Sequence, residues 1–378
     1  MTPQTTFETV QAEFPIKKKW AYFNNASIGP CSTRVNDAVS QFLAEVQRDG
    51  RLHYPEWCRE ADGAIKTRIA NLIGAMPNEL AFVPNTTQGL SLVANGLDWR
   101  DGDNVIIADI EYPSNVYPWL NLRPRGVNVR WVEARRGRIA PKDVEQAIDA
   151  RTRLVSLSSV QFSNGFRLDL GALSEICKRR RVRLNLDAIQ HVGALHLDVS
   201  RYQIDYLSAG GHKWLLGPIG SGIFYCRRDA LETLSPPIVG YHSVDKPLDH
   251  ADYELTLRPD AGRFEEALVG FPAIRGLDAS VQMLLELSMP AVERHVLDLT
   301  SLAIEGLRSR GYEILSPATK AERSGIVSFK HPSVSAPTVE ARLTAGGVQV
   351  AVRRGALRLS PSFYNDTNEI ERFLEVLP

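Results

Sequence analysis

From about residue 80 to about residue 230, short apolar runs alternate with stretches of helical period. NVIIADI (104–110), VNVRWVEA (127–134), RLVSLSSV (153–160), RVRLNLD (181–187), DYLSAG (205–210) and GIFYC (222–226) read as strands. Between them, PKDVEQAIDA (141–150) and LGALSEICKRR (170–180) space their apolar residues three and four apart, as an amphipathic helix does. Continuous apolar strands joined by helices predict an α/β fold with a mainly parallel sheet covered on both faces. Helix N-termini and loops gather outside the carboxyl ends of such strands, so polar residues at those ends are the first candidates for chemistry.

Past the proline-rich LSPPIVG (234–240) the pattern changes. An irregular segment runs to about residue 272, followed by the helical stretches IRGLDASVQMLLEL (274–287) and AVERHVLDLTSLAIEGLRSRG (291–311). Strand-like GIVSFK (325–330), a helix in APTVEARLTAGG (336–347), VQVAVRRGALRLS (348–360) and a terminal helix complete a second, α+β unit. At 378 residues the chain exceeds one ordinary domain. The expected division is a large domain over residues 20–245 and a smaller C-terminal one over 246–378, with residues 1–19 packing against the latter.

Composition narrows the function. The 44 basic and 44 acidic residues balance, which removes the footprint of a nucleic-acid binder and leaves a small-molecule ligand. Cys31, Cys58, Cys177 and Cys226 are scattered, with no CxxC pair and no histidine at ligand spacing, so neither disulfides nor a metal site is expected. The N-terminal stretch lacks a signal-type apolar core, and nowhere do about 18 apolar residues run together. A cytoplasmic protein without membrane attachment is the expectation.

The candidate chemistry lies at strand ends. Asp187 closes one strand, with Gln190 three residues on, and Lys213 follows the next strand in the glycine-rich GGHKWLLGPIGSG (210–222). Each has a plain reading alone, Asp187 as a turn or cap and Lys213 as a surface lysine. Their order changes that. A buried lysine sheds its proton readily and can form a Schiff base with an aldehyde, which is what pyridoxal phosphate demands; its pyridine nitrogen also needs a carboxylate. Thr86 and Thr87 precede a helix whose first N–H groups could face a phosphate, or they are simply capping threonines. Tyr112, after a strand, could stack on the ring or merely pack.

Taken together, NTTQG, EYPSN, FSNG, DAIQ, GGHKW and ALRLSPSFYN, in this order over nearly the whole chain, resemble the class V aminotransferase family of fold-type I pyridoxal-phosphate enzymes. That group includes cysteine desulfurases and isopenicillin N epimerase. The resemblance implies a homodimer, with Lys213 as the Schiff-base lysine and Asp187 on the pyridine nitrogen. It implies Gln190 at the phenolic oxygen, Thr86, Thr87 and His212 at the phosphate, Tyr112 stacked on the ring and Asn164 beside the cofactor. Asn25 and Arg358 fall at substrate positions, Arg358 as the grip on an α-carboxylate. Three departures stand out. Gly210 occupies a place usually held by serine, Ala267 and Leu268 replace a usual Gly-Thr, and residues 318–343 hold no cysteine where a desulfurase needs its thiolate. The expected activity is amino-group transfer. A lyase or epimerase without a catalytic cysteine is the alternative, and a non-catalytic binding protein on the same fold is a more remote one.

Overall fold

The computed structural model describes residues 5–246, 251 and 253–378. After β1 (Ala21–Tyr22), the chain lays down β2 (Leu80–Phe82), β3 (Asn104–Ala108), β4 (Asn128–Val132), β5 (Thr152–Ser158), β6 (Arg183–Asp187), β7 (Tyr206–Gly210) and β8 (Gly222–Cys226). The last seven of these form one sheet in the order β2-β8-β7-β6-β5-β3-β4. Neighbours from β7 through β4 pair in parallel, and β8 runs against both β7 and β2. Every residue of β3, β7 and β8 is buried, as a sheet with helices on both faces requires.

Local chemistry sets the helix boundaries. Asn85 caps Thr86–Gly96 by accepting from the Gln88 N–H at 3.0 Å, and Asp169 caps Leu170–Arg180 through the Ala172 N–H at 2.9 Å. Lys178, Arg179 and Arg180 fill the last turn of the second helix, where the dipole favours cations, and Arg181 ends it in a left-handed conformation.

The C-terminal sheet is antiparallel, in the order β12 (Ala351–Arg353), β13 (Ala356–Leu359), β10 (Val327–Lys330) and β9 (Glu313–Ile314). β11 (Val348–Gln349) pairs in parallel with β1. Thus a strand from the start of the chain is built into the C-terminal unit. Described N-terminal residues follow it there: the Phe7 ring stacks on His295 at 4.4 Å and that of Phe14 on Tyr364 at 4.3 Å. Residues 1–4 of the expected 1–19 segment lie outside the described residues.

The helix Phe271–Leu287 packs on Thr33–Asp49 and shares the core of the large sheet. The helix Met289–Ser309 gives Met289, Val292 and Val296 to that core, while Leu299, Ala303 and Leu307 enter the core of the small sheet. This helix thus contributes to both cores. Among the described residues, no helix is long and apolar enough to cross a membrane.

Candidate active site

Loops from the carboxyl ends of β3, β6 and β7, the helix that follows β2, and β13 of the small sheet together line a cavity of about 510 Å³. Asp187, Gln190, His212, Lys213, Tyr112 and Arg358 all reach it, with Thr86 and Thr87 at one end.

Lys213 is 8% exposed. Burial pushes its amine down to about 8; Asp187 opposes this, while Arg358 and Arg353 push the same way. An amine poised so near neutrality is a ready nucleophile and proton carrier. Its Nζ lies 5.4 Å from the centre of the Tyr112 ring, which meets Phe162 edge-on at 5.1 Å. The loop holding Lys213 is closely packed. A Cβ on Gly211 would come within 2.5 Å of Ser221 Oγ, and the fully buried Trp214 donates from Nε1 to Gln190 Oε1 at 2.7 Å.

Asp187 is the last residue of β6. Its Oδ1 accepts from the Ile189 N–H at 3.1 Å, whereas its buried Oδ2 has no partner among the described residues. Burial raises its carboxyl to about 6, against the pull of the Ile189 N–H and Lys213. A buried carboxylate oxygen of this kind calls for a donor, and a protonated ring nitrogen supplies one. Gln190 is more committed: its Nε2 donates to Ala26 O at 3.0 Å and its Oε1 accepts from Trp214, leaving one amide N–H for the cavity.

At the other end, Thr86 Oγ1 accepts from the Gly210 N–H at 2.8 Å and Thr87 Oγ1 donates to Ser114 Oγ at 2.8 Å. These hydroxyls surround the N-terminus of the Thr86–Gly96 helix, a natural seat for an anion. His212 stands beside them, held toward its neutral form by burial and by Lys213. A Cβ on Gly210 would sit 3.0 Å from His212 Cε1, so a glycine in place of serine leaves room for this imidazole.

Two expected residues lie elsewhere. Asn164 is absent from the cavity wall: its Nδ2 donates to Gly137 O at 2.7 Å and its Oδ1 accepts from the Phe166 N–H at 3.0 Å. Asn25, fully buried, donates to Ser360 O at 2.8 Å and accepts from Tyr364 Oη at 3.0 Å. It joins the chain's two ends. The residues around it form a clasp, in which Asn24 bridges Ser360, Ala26 O is held by Gln190, and the Gly29 N–H donates to His212 O at 2.8 Å.

The sequence reading named Arg358 but passed over Ser27, Arg353 and Glu111. Arg358 donates to Phe162 O at 2.8 Å and to Ser27 Oγ at 2.7 Å; Arg353 also lines the cavity and donates to the same Ser27 hydroxyl at 2.9 Å. Folding the sequence at Arg354-Gly355 would have shown that both arginines share a face. Behind Tyr112, the buried Glu111 accepts from Ser158 N and Oγ, Asn115 and Gln161, fixing the loop that carries the tyrosine.

Burial raises the Glu111 carboxyl from 4.5 to about 7, against those four donors. The folded chain therefore keeps a proton that the unfolded chain has lost, so stability falls as pH rises through this window. We expect the thermal stability of the cofactor-free protein to decline between about pH 4.5 and 7 by on the order of 2–3 kcal/mol from this group. Melting curves of Glu111→Gln against pH, flatter than wild type over that range, would show it; an unchanged slope would refute it.

The family model for Aminotransferase class-V matches residues 21–373. The chain belongs to that family. A curated relative of the chain is a probable cysteine desulfurase of Methanothermobacter thermautotrophicus, 29% identical over 98% of this chain and 97% of the relative. Among solved structures, the apo form of a cysteine desulfurase from Thermococcus onnurineus matches with a TM-score of 0.90 at 24% identity, covering 100% of this chain and 98% of the other. A cystine C–S lyase in complex with its reaction product cysteine persulfide matches at 0.88 and 24%, covering 96% and 98%. The fold-type I architecture expected from the sequence, a large mainly parallel sheet with a smaller α+β unit, is the one this member of the family adopts.

Proposed function

We propose that the protein is a pyridoxal-phosphate-dependent enzyme acting at Cα of an amino acid, with transamination as its outcome. The observation that carries this is the meeting, in one cavity, of a near-neutral buried lysine and a buried carboxylate oxygen without a donor. Asp187 would hold the ring nitrogen, Thr86, Thr87 and His212 the phosphate, and Tyr112 one ring face. When bound, the cofactor supplies an aldehyde for an amino group and a sink for the electrons released at Cα.

The protein's own groups do the rest. Arg358 is 1% exposed and is hydrogen-bonded to Phe162 O and Ser27 Oγ and to no carboxylate among the described residues, so it is suited to grip the substrate's α-carboxylate. That grip orients the Cα–H bond toward Lys213, which takes the proton and returns it at a second site. One mobile proton carrier suffices for transamination. Tyr112, 43% exposed at the cavity mouth, favours a second reading in which a phenol protonates a departing Cβ substituent, giving a lyase of the C–S type. Incubating the purified protein with a panel of amino acids and identifying products decides between them. A keto acid that keeps the substrate's side chain supports transamination, whereas pyruvate plus a released group means elimination.

Persulfide relay through a protein thiol is not part of this reading. Cys177 and Cys226 are each 1% exposed, and burial drives both thiols up, that of Cys177 to about 12. Only Cys31 and Cys58 reach solvent. With L-cysteine we expect no protein-bound persulfide by mass spectrometry, and a Cys31→Ser/Cys58→Ser variant that keeps most of its activity. A persulfide on either, lost together with turnover, would restore the desulfurase.

A homodimer also fits. Leu268 is 59% exposed beside an apolar groove of about 550 Å³ lined by Phe42, Val46, Tyr54, Trp57, Tyr241 and Phe271, on the same stretch where Ala267 and Leu268 depart from the family's Gly-Thr. Sedimentation as a monomer at full activity would exclude it.

A further inference from the structure

We propose that the substrate carries a second anionic group on its side chain, held by Arg353, so that the enzyme takes acidic amino acids. The inference rests on the reading above and adds the substrate class to it.

The first ground is the hairpin of the small sheet. It turns on Arg354 (φ 49°) and Gly355 (φ 74°), with Arg353 opposite Ala356 and Ala351 opposite Arg358. Because side chains alternate along a strand, Arg353 and Arg358 project from the same face as a diagonal pair, their backbones roughly 7–8 Å apart. Each guanidinium is fixed by its own carbonyl, Arg353 by Val352 O at 2.8 Å and Arg358 by Phe162 O at 2.8 Å, and both share Ser27 Oγ. The sequence therefore sets two separate cationic forks side by side in one wall.

The second ground is charge. Besides the Tyr112 phenol, the titratable groups of the cavity wall are Asp187, His212, Lys213, Arg353 and Arg358. Asp187 is matched to a ring nitrogen, and the cofactor phosphate to the helix end at Thr86. Two guanidiniums remain, with no carboxylate on either among the described residues. One α-carboxylate is bidentate to one guanidinium and saturates it. Arg358, buried and with its Nε lacking a partner, takes that role. Arg353, half-buried on the turn side of the hairpin, is left with its charge uncompensated. Cations withdrawn from water are normally paired, and like charge from Arg353, after burial itself, helps push Arg358 down to about 9. A second anion relieves that repulsion.

Titration calorimetry of the holoenzyme with unreactive carboxylates tests this, using succinate and glutarate against propionate and butyrate. The wild type should bind the diacids roughly 10- to 150-fold more tightly, the value of one charged hydrogen-bonded contact. Arg353→Gln should collapse that ratio toward one, and Arg353→Lys, which keeps the charge, should retain part of it. A wild-type ratio near one, or an equal loss for both classes in Arg353→Gln, would overturn the proposal, the latter by showing that both arginines grip one carboxylate. Heat of binding is read whether or not the cofactor absorbs, and absorbance reports the cofactor separately. Failure of acid selectivity and failure of the pyridoxal-phosphate reading are thus distinct results.

Discussion

Lys213→Ala is expected to lower kcat/KM by roughly 10²- to 10⁴-fold through loss of the proposed proton-carrying role alone, and loss of the proposed covalent role would deepen this. The expectation follows from burial without a close counter-ion. Lys66 makes the comparison: it is also buried, yet Glu265 at 2.9 Å and Asp62 at 2.7 Å outweigh the desolvation and hold its amine above the usual range. Two lysines both hidden from water thus differ in state, one fixed as a cation and the other near neutrality. Borohydride reduction followed by peptide mapping should place the cofactor on Lys213. An adduct on Lys66, Lys246 or any other lysine would remove the basis of the assignment.

Asp187→Asn is expected to cost about 10²- to 10³-fold in kcat, comparable to removing one preorganised group that stabilises developing charge. The amide keeps the shape of the side chain and can still accept from the Ile189 N–H, but it cannot hold a ring nitrogen in its protonated form. Stability should not fall in parallel, because the substitution removes a buried charge whose Oδ2 lacks a partner. Steady-state kinetics together with a melting curve read both effects. Near wild-type turnover would show that Asp187 serves only its turn.

These expectations were open to sequence reasoning to unequal degrees. The runs NVIIADI, RLVSLSSV, RVRLNLD and DYLSAG became β3, β5, β6 and β7 with ends shifted by no more than a few residues, because doubly covered parallel strands leave unbroken apolar patterns. β2, three residues long and antiparallel to β8, left too short a trace to read. Asp187 and Lys213 stood out because strand ends and glycine clusters are local signals. The hydrogen bonds of Asn25 and Asn164 could not be read from the sequence, because a polar side chain's partners are set by tertiary contacts, here Ser360 far along the chain and Gly137 on a neighbouring loop. Arg353 was missed for the opposite reason. Its placement follows from strand alternation once the turn at Arg354-Gly355 is seen, but an arginine in the left-handed position is a weaker turn signal than asparagine.

The clasp formed by residues 21–29 restricts how the two units can move. At one end it is a strand of the C-terminal unit, and eight residues later it is hydrogen-bonded to the loop that bears Lys213. A rotation of the small sheet would pull on the lysine through a chain too short to absorb it. Substrate passage is then expected to rely on swings of individual side chains at the mouth, such as Tyr112 and Ile28, on timescales far shorter than a domain hinge. In hydrogen-exchange terms, the amides of Phe23 and Gly29 should lose protection together, as one mechanical unit.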